Sequence, residues 1–283
     1  MHIFYRQEMN ASTLSSSPSA HKPREVMVSW LSRFDGLEII PPKPVSAAQL
    51  SLAHDADFVA DILACRAKNG FWNRDPAIAQ ALPYTTGAML DAARSAVQNR
   101  NVAVAPCSGF HHAGWDYADG YCTFNGLMIT ALALKTERAA ARVGILDFDH
   151  HYGDGTAAII ERLGLDWVVH YSAGAVYADA HQAAGFLAAI PGIVHAMAGC
   201  DVVLYQAGAD PHVDDPLGGW LTTEQLRLRD RIVFETLAQM QIPVAWNLAG
   251  GYQKPLRKVL DIHDNTMQAC LAVYANAARS EHT

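Results

Sequence analysis

Titratable and aromatic side chains follow four of the short apolar runs in this 283-residue chain. Glycine stands near most of them, which allows a ligand to approach the backbone closely. Carboxylates, imidazoles and a phenol brought together could bind a metal ion, transfer protons and stabilise an oxyanion. The residues are His111 and His112 after Val102–Ala105, Asp147, Asp149, His151 and Asp154 around the end of Val143–Phe148, Asp210 after Val202–Tyr205, and Tyr252 after Val244–Leu248.

Asp147, Asp149 and His151 alternate with other residues in the segment LDFDHHYGDG. In extended backbone, residues two apart point to one face, so the alternation predicts three potential ligands in a row. Carboxylate oxygen and imidazole nitrogen suit zinc or another borderline divalent ion. Two of these ligands together with Asp210 would leave a fourth position open for water, which is the catalytic pattern. The alternative is a run of turn and capping residues, in which Asp154 begins the next helix.

The elements that carry these residues alternate regularly from residue 100 onward. Apolar strands alternating with helices predict a parallel sheet that helices cover on both faces. In such sheets the functional crevice lies beyond the carboxyl ends of the strands, where the titratable residues occur. The predicted strands are Val102–Ala105, Val143–Phe148, Trp167–Tyr171, Val202–Tyr205 and Val244–Leu248, and the predicted helices are Gly126–Lys135, Thr156–Leu163, Thr223–Met240 and Pro255–Ala278.

The first hundred residues give fewer signals. His2–Tyr5 is expected to form a first strand, and a helix is expected to begin near Pro23 or Arg24. The Ser-rich stretch Asn10–Ala20 between them indicates a surface loop. Ser46–Lys68 has a helical pattern, and its first residue is a suitable N-cap.

A length of 283 residues suits one large domain or two small ones, and because no long linker divides the chain we expect a single domain over residues 1–283. Apolar residues make up 51% of the chain and charged residues 17%, which excludes intrinsic disorder. The formal charge of −7, without basic runs, argues against a nucleic-acid partner. No apolar run reaches the roughly 18 residues that span a membrane, and the N-terminus lacks a signal-peptide pattern, so we expect a cytoplasmic protein. The five cysteines are scattered and contain no CxxC pair, which is typical of reduced thiols.

Five segments, taken in order, resemble the histone deacetylase and acetylpolyamine amidohydrolase superfamily. They are SGFHHAG, GYCTFNG, LDFDHHYGDG, AGADPHVDDPLGG and AGGY, and the resemblance extends roughly from the first strand to the last helix. It implies an arginase/deacetylase-type α/β fold. It also implies a hydrolase that uses one zinc ion per chain to remove an acyl group from an amine.

The resemblance also implies a role for each site residue. Asp149, His151 and Asp210 match the zinc ligands. The other matches are His111 and His112 as active-site histidines, with Asp147 and Asp154 as the acids that orient them, Tyr252 as the donor to the substrate carbonyl, Gly250 and Gly251 as the turn that holds it, and Gly120 and Tyr121 as the wall of the substrate channel. His112, paired with Asp154, is the expected proton shuttle. A structural potassium ion is expected near the backbone of the LDFDHH segment.

Several positions depart from the family pattern. Tyr152 stands where a second histidine is usual, and His150 is an additional histidine between the two ligand positions. Ala249 replaces a usual Gly or Glu, and Gly109-Phe110 replaces a usual Pro-Gly. None of these changes removes a predicted ligand or the tyrosine.

Four further groups of residues have no fixed role in the site at the sequence level. Arg24 is either a residue of an internal cavity or a charge on a helix surface, and Tyr177 is a possible second wall of the channel. Asp214 and Asp215 indicate a turn, and the remaining histidines indicate structural or surface positions.

Two alternatives to a deacetylase remain. One is a protein that binds acylated amines in the same pocket without hydrolysing them. The other is an arginase-like hydrolase with two manganese ions, which would need more ligands than the three predicted here. The expected substrate is a small acylated amine or an acetyl-lysine, and the oligomeric state is not predicted.

Overall fold

The computed structural model describes residues 1–12 and 17–280. Residues 13–16, in the middle of the Ser-rich stretch Asn10–Ala20, lie outside the described residues. Within them, seven strands form one sheet in which every neighbouring pair is parallel. The strands are β1 His2–Phe4, β2 Glu38–Ile40, β3 Val102–Ala105, β4 Val143–Asp147, β5 Val168–Ser172, β6 Val202–Gln206 and β7 Val244–Asn247, in the spatial order β2-β1-β3-β7-β6-β4-β5.

Nine α-helices connect and cover these strands within the described ranges. Capping residues at several helix starts follow the expected chemistry, since Asn125 and Thr222 each accept a hydrogen bond from a backbone N–H in the first turn. The helices are α1 Lys22–Arg33, α2 Ala47–Leu50, α3 Ala56–Leu63, α4 Pro76–Asn99, α5 Gly126–Thr136, α6 Asp154–Leu163, α7 Ala183–His195, α8 Thr223–Gln239 and α9 Arg257–Ser280.

Both faces of the sheet are buried, which confirms the predicted architecture. On β6, Val203 and Tyr205 pack with residues of α1, α7, α8 and α9. Val202 and Leu204, which point to the opposite face, pack with residues of α3, α4, α5 and α6. Each strand residue is therefore covered whichever way it points, and this explains why the strands are apolar throughout rather than alternating.

The strands that precede the titratable residues are neighbours in the sheet. β3, β7, β6 and β4 lie side by side, so the loops after them meet at one edge. Parallel strands place all their carboxyl ends at the same edge of the sheet. The strand order therefore brings together four loops that are separated by up to about 140 residues in the sequence.

One predicted helix was wrong. Ser46–Lys68 contains two helices, α2 and α3, rather than one. Ser46 caps α2, and the Asp55 carboxylate accepts hydrogen bonds from the N–H groups of Asp57 (2.9 Å) and Phe58 (3.1 Å), which starts α3 afresh. A second strong N-cap inside a helical pattern therefore divides it. The structure also contains strand β2 and helices α4 and α7, which the sequence patterns did not predict.

Two further sequence expectations can be compared with the described residues. All five cysteines are free thiols, four of them buried. Among the described helices, none is both long and apolar enough to cross a membrane.

Candidate metal centre and active site

Asp149, His151 and Asp210 converge at the carboxyl ends of β4 and β6. One potential ligand atom from each lies within 4.8 Å of the others. His151 Nδ1 lies 3.3 Å from Asp149 Oδ1 and 3.2 Å from Asp210 Oδ2. Ligand atoms about 2.0–2.1 Å from a tetrahedral zinc ion lie about 3.3 Å apart. His151 Nδ1 therefore lies from each carboxylate at the distance that separates two ligands of a tetrahedral ion, and the three side chains form a candidate metal site.

The loop after β4 bends back on itself instead of continuing as extended chain. β4 ends at Asp147. The Asp147 carboxylate then accepts a hydrogen bond from the Asp149 N–H (3.2 Å), and the Asp149 carboxylate accepts one from the His151 N–H (3.0 Å). Such bonds to the backbone two residues on form turns. The predicted row of three side chains was therefore wrong, because Asp149 and His151 meet at the metal site while Asp147 turns toward His111.

The charges at this site favour a bound cation. Hydrogen bonds to Asp149 and Asp210 raise the pKa of His151 to about 10. Burial and the nearby Asp149 charge raise the pKa of Asp210 to about 7. Both shifts have one physical origin: two buried carboxylates need a positive charge between them. A divalent metal ion satisfies the same need, and it competes with the proton on His151.

Two histidine–aspartate pairs lie beside the metal site. His111 Nδ1 is 2.7 Å from Asp147 Oδ2, and His112 Nδ1 is 2.6 Å from Asp154 Oδ1. The two rings are 4.2 Å apart between centroids. Since each Nδ1 faces a carboxylate, it carries the proton in the neutral ring and leaves Nε2 as the basic nitrogen. Both pairs combine residues that the sequence placed in one site.

The two pairs differ in their surroundings. His111 is 3% exposed, and its partner Asp147 is also held by the Gln206 side-chain amide (2.9 Å). Burial lowers the pKa of His111, but the charges of Asp147 and Asp149 outweigh it and raise the pKa to about 9. The pKa of His112 is lowered by burial and by the neighbouring His111. His112 and Asp154 are the more accessible pair, with 21% and 51% of their side chains exposed.

Tyr252 reaches the same pocket from the loop after β7. Its N–H donates to Asp215 Oδ2 (2.8 Å), so the predicted turn at Asp214 and Asp215 also holds this tyrosine in place. Burial and the charges of the metal-site carboxylates raise the pKa of Tyr252 well above its usual value. The phenol therefore stays protonated and can donate a hydrogen bond at neutral pH.

The glycines before Tyr252 allow the loop to pass close to the metal site. The Gly250 N–H donates to Asp149 Oδ2 (2.8 Å), and a Cβ atom on Gly250 would lie 2.2 Å from Asp210 Oδ2. Gly251 has a φ of +133°, which side chains strongly disfavour. In AGGY, Gly250 therefore permits the close approach to the metal-site carboxylates, and Gly251 permits the positive φ.

Gly120 and Tyr121 line a pocket together with His111, His112, Asp149, His151, Gly250 and Tyr252. The pocket encloses about 270 Å³, part of it open to solvent. The Tyr121 ring is 5.6 Å from the Tyr252 ring and 5.2 Å from the Trp72 ring. The Tyr121 N–H donates to the Gly70 carbonyl oxygen (2.9 Å), which fixes the loop. An aromatic wall therefore borders the candidate metal site at the position that the sequence assigned to the substrate channel.

A buried lysine beneath the site was missed by sequence reasoning. Lys22 is fully buried, and its Nζ donates to the carbonyl oxygens of Ala249 (2.5 Å) and Gly250 (3.1 Å). Burial lowers its pKa to about 8, against the attraction of Asp210 and Asp149. Arg24, the residue that the sequence singled out, is exposed on α1. Both residues lie in HKPRE at the start of α1. Which of them faces the interior depends on the rotational phase of the helix, and the sequence alone does not determine that phase.

Other singled-out residues have structural surroundings. Tyr177 stacks on Trp220 (5.6 Å) and belongs to the packing of one sheet face, so the contacts do not place it in the channel wall. His150 lies outside the three-residue metal group, with its Nε2 near Gly218. His212 bonds Thr223 and the Asp214 N–H. The potassium ion near the LDFDHH backbone stays a prediction.

Comparisons with known proteins identify the family of this chain. A model of the histone deacetylase domain matches residues 18–187. The chain belongs to the histone deacetylase family. The matched part of this histone deacetylase family member contains both histidine–aspartate pairs, Asp149 and His151. It ends before Asp210 and Tyr252, whose assignment therefore depends on the geometry.

Relatives in sequence include proteins with and without a named activity. An uncharacterized protein of Picosynechococcus sp. is 26% identical over 261 residues, which cover 84% of this chain and 86% of that protein. Acetylpolyamine amidohydrolase 1 of Pseudomonas aeruginosa is 30% identical over 172 residues, which cover 50% of this chain and 48% of that protein. The second match therefore spans about half the length of each protein.

Solved structures share the fold of this family member. The HD domain of HDA15 superposes with a TM-score of 0.78 at 18% identity, covering 96% of this chain and 91% of that one. An acetylpolyamine aminohydrolase from Burkholderia pseudomallei gives a TM-score of 0.73 at 17% identity, covering 96% and 99%. The predicted arginase/deacetylase-type fold is confirmed, and family membership supports a deacetylase or amidohydrolase activity.

Proposed function

We propose that this protein is a zinc-dependent hydrolase that removes an acetyl or related acyl group from an amine, such as acetyl-lysine or an acetylated polyamine. The observation that carries the proposal is the meeting of three kinds of group around one pocket, at the carboxyl ends of neighbouring strands. These are the three donors Asp149, His151 and Asp210, the two histidine–aspartate pairs, and the protonated phenol of Tyr252.

Zinc fits the donor set better than the hard cations do. An imidazole nitrogen with two carboxylate oxygens is a common set for catalytic zinc, whereas calcium and magnesium prefer oxygen alone. The described residues contain one such group of three, which supports one ion rather than the two of an arginase-like enzyme. Asp147, the nearest additional carboxylate, is already bonded by His111 and Gln206.

The residues around the donors supply the remaining chemistry of amide hydrolysis. A bound zinc ion lowers the pKa of a bound water and polarises the amide carbonyl. Tyr252 donates its O–H to the oxygen that becomes negative in the transition state. His112 takes the proton of the attacking water at Nε2 and later gives it to the leaving amine. His112 suits this role because it is more accessible from the pocket than His111.

His111 has a different part in the proposal. It is buried, and its Nε2 lies 3.7 Å from Asp149 Oδ1, a ligand of the metal site. Its partner Asp147 bonds both Gln206 and the Asp149 N–H. An imidazole fixed in this way keeps its Nε2 beside the metal-site donors and orients groups that bind there. In this proposal His112 transfers protons, and His111 positions the reacting groups.

Hydrolysis of acylated amines, with and without zinc, tests the proposal. The purified protein is treated with a chelator, dialysed and reloaded with zinc, and acetylpolyamines, acetyl-lysine peptides and trifluoroacetyl-lysine peptides are assayed at each stage. We expect activity to fall with the chelator and to return with about one zinc ion per chain. Activity that resists metal removal would contradict the proposal, and two ions per chain would favour the arginase-like alternative.

Variants distinguish catalysis from binding alone. His112→Gln removes the proposed shuttle and should lower kcat by about 10²–10⁴ while zinc stays bound. His181→Gln is the matched control, since His181 is exposed in the 3₁₀ turn Ala180–Gln182 and is not among the residues that line the pocket. If the wild type binds acetyl-lysine peptides tightly but hydrolyses none of the amides, the protein is an acyl-amine binder instead.

A further inference from the structure

A buried arginine on α8 bonds the two loops that carry the carboxylates of the candidate metal site. Arg229 is fully buried, and its Nη1 donates to the carbonyl oxygens of Phe148 (3.0 Å) and Gly208 (2.8 Å). Phe148 directly precedes Asp149, and Gly208 lies two residues before Asp210. Because a single nitrogen atom makes both bonds, it fixes the separation of the two carbonyl oxygens. The spacing between the two loops therefore depends on this arginine.

The Phe148 carbonyl belongs to the peptide unit that leads into Asp149. The N–H of this unit is the Asp149 N–H, which donates to Asp147 Oδ1 (3.2 Å). A peptide unit is planar, so a bond at its oxygen and a bond at its N–H together fix its orientation. Arg229 supplies the first of these bonds. Without it the unit can rotate, and the Asp149 side chain moves with it.

The Gly208 carbonyl is held in the same way on the second loop. The N–H of its peptide unit belongs to Ala209 and donates to the Gly250 carbonyl oxygen (3.2 Å). A Cβ atom on Gly208 would lie 2.7 Å from Asp210 Oδ1, so the backbone at Gly208 is in close contact with the Asp210 carboxylate. A rotation of this unit would therefore displace the second carboxylate of the metal site.

The guanidinium group is itself anchored by two strong contacts within the core. Its Nε donates to Oδ1 of Asp230, the next residue on α8 (2.8 Å). Asp230 also accepts hydrogen bonds from the hydroxyl groups of Tyr205 on β6 and Thr266 on α9. Burial lowers the pKa of Arg229, but the charge of Asp230 outweighs it and raises the pKa above its usual value. Arg229 is therefore a fixed, charged donor that three elements of the fold hold in place.

Stability alone does not account for this arrangement. Arg229 Nη2 is buried and has no hydrogen-bond partner within the described residues. Apolar side chains of similar volume often stabilise a core as well as a buried ion pair does, or better. An apolar side chain, however, could not donate hydrogen bonds to both of the loops beside the metal site.

We propose that Arg229 is a positioning residue for the metal site. Through the carbonyl groups of Phe148 and Gly208, it sets the separation and the orientation of the Asp149 and Asp210 carboxylates. Arg229 is not among the residues that line the pocket, so it acts on the reaction only through these two ligands. The inference rests on the metal site of the proposed function and not on the hydrolysis of any particular amide.

Zinc affinity, measured by competition with a coloured chelator, tests the proposal. Arg229→Met removes both bonds and should weaken zinc binding about 10–100-fold, which is the usual cost of losing a group that orients a ligand. Arg229→Lys keeps the charge but loses the planar fork, so it should weaken zinc binding by less, about threefold to tenfold. Arg231→Met is the matched control, because Arg231 is exposed on the same helix and pairs with Glu235 (2.7 Å), and it should leave the affinity unchanged.

Cobalt absorption distinguishes positioning from a purely structural role. The metal-free protein is loaded with Co²⁺, whose visible spectrum depends on the coordination geometry. Arg229→Met should alter the positions or intensities of the bands, and Arg231→Met should reproduce the wild-type spectrum. A residue that only stabilises the fold would change the denaturant midpoint of the metal-free protein and leave this spectrum as it is.

Folding of each metal-free variant is measured first by denaturant unfolding. Arg229→Met leaves the buried Asp230 charge without its partner, which is strongly destabilising. If this variant does not fold, Arg229→Met/Asp230→Asn replaces it, because Asn removes the charge and keeps an acceptor for Tyr205 and Thr266. If neither variant folds, Arg229→Lys decides. A folded variant with the zinc affinity and the cobalt spectrum of the wild type overturns the positioning role.

The same measurements separate this inference from the proposed function. If the wild type binds zinc but hydrolyses no amide, the proposed function fails, and the zinc affinities and cobalt spectra of the variants still decide the role of Arg229. If the wild type hydrolyses amides with zinc bound and Arg229→Met binds zinc normally, the positioning role fails and the proposed function stands. A wild type that binds no zinc contradicts both.

Discussion

Adding one methyl group at Gly250 should destroy the candidate metal site. A Cβ atom at this position would lie 2.2 Å from Asp210 Oδ2, 2.5 Å from Asp210 Cγ and 2.8 Å from Asp149 Oδ2. Gly250 is not among the residues with positive φ, so Gly250→Ala introduces a collision without backbone strain. The substitution therefore tests the geometry of the metal ligands and little else.

The size of the effect follows from these contacts. Non-bonded carbon and oxygen atoms approach to little less than about 3.2 Å, so the Asp210 carboxylate would have to move by about 1 Å. It cannot rotate away freely, because it is fully buried and its Oδ1 accepts a hydrogen bond from the His150 N–H (3.2 Å). Zinc–oxygen distances tolerate about 0.2 Å. Since disturbing groups that only orient a ligand costs 10–100-fold in metal affinity, displacing a ligand should cost about 100-fold or more.

Zinc affinity and folding have to be measured on the same preparations. Competition with a coloured chelator gives the Kd for zinc, and denaturant unfolding of the metal-free protein shows whether the variant folds. Gly192→Ala is the control, because its Cβ would meet nothing within 4 Å and it lies in α7, away from the site. A folded Gly250→Ala protein that binds zinc with wild-type affinity would falsify the placement of Asp210 as a ligand.

Three other predictions concern single residues around the site. Tyr252→Phe keeps the ring but removes the O–H, so kcat should fall by about 10²–10³ with zinc content unchanged, and normal turnover would remove Tyr252 from the mechanism. Lys22→Met leaves the buried Ala249 carbonyl oxygen without its donor, whereas the Gly250 carbonyl oxygen keeps the Ala209 N–H, and the free energy of unfolding should fall by about 1–3 kcal/mol in urea titrations. Burial lowers the pKa of His54 to about 4, so the folded state holds it neutral while the unfolded state binds a proton below about pH 6.5. Stability should therefore fall by about 2 kcal/mol between pH 7.5 and 5, and His54→Gln should remove this part of the pH dependence.

The central sheet was predictable because its strands are apolar throughout and are separated by helix-length segments. The predicted strand Val102–Ala105 has the same bounds in the structure, and Val143–Phe148 differs from β4 by one residue. The convergence of His111, Asp147 and Asp210 follows from the same pattern, since parallel strands end at one edge. Strand order was not predictable from the pattern, and it is this order that makes the four loops neighbours.

Details that depend on local turns and on helix phase were not predictable. Alternation in D-x-D-x-H predicted that Asp149 and His151 lie close together, but the cause is different, because the loop is formed by turns in which Asp147 and Asp149 bond the backbone. Lys22 and Arg24 are two residues apart at the start of α1, where a shift of helix phase decides which cation is buried. Asp55 begins a new helix inside an apparently continuous pattern. In each case a single side-chain hydrogen bond or the packing of one helix outweighs the periodicity.

The residues proposed for the chemistry and the residues that surround them are encoded in different kinds of sequence. The candidate metal ligands, histidines and tyrosine come from loops after β3, β4, β6 and β7, where polar residues stand out against apolar strands. The cavity beside the metal-site pocket is formed largely by α4 and by the segment before α1, whose alanines and leucines are indistinguishable in sequence from other core residues. Motifs that identify the chemistry therefore do not identify the substrate, because the substrate depends on the shape of surfaces that no motif marks.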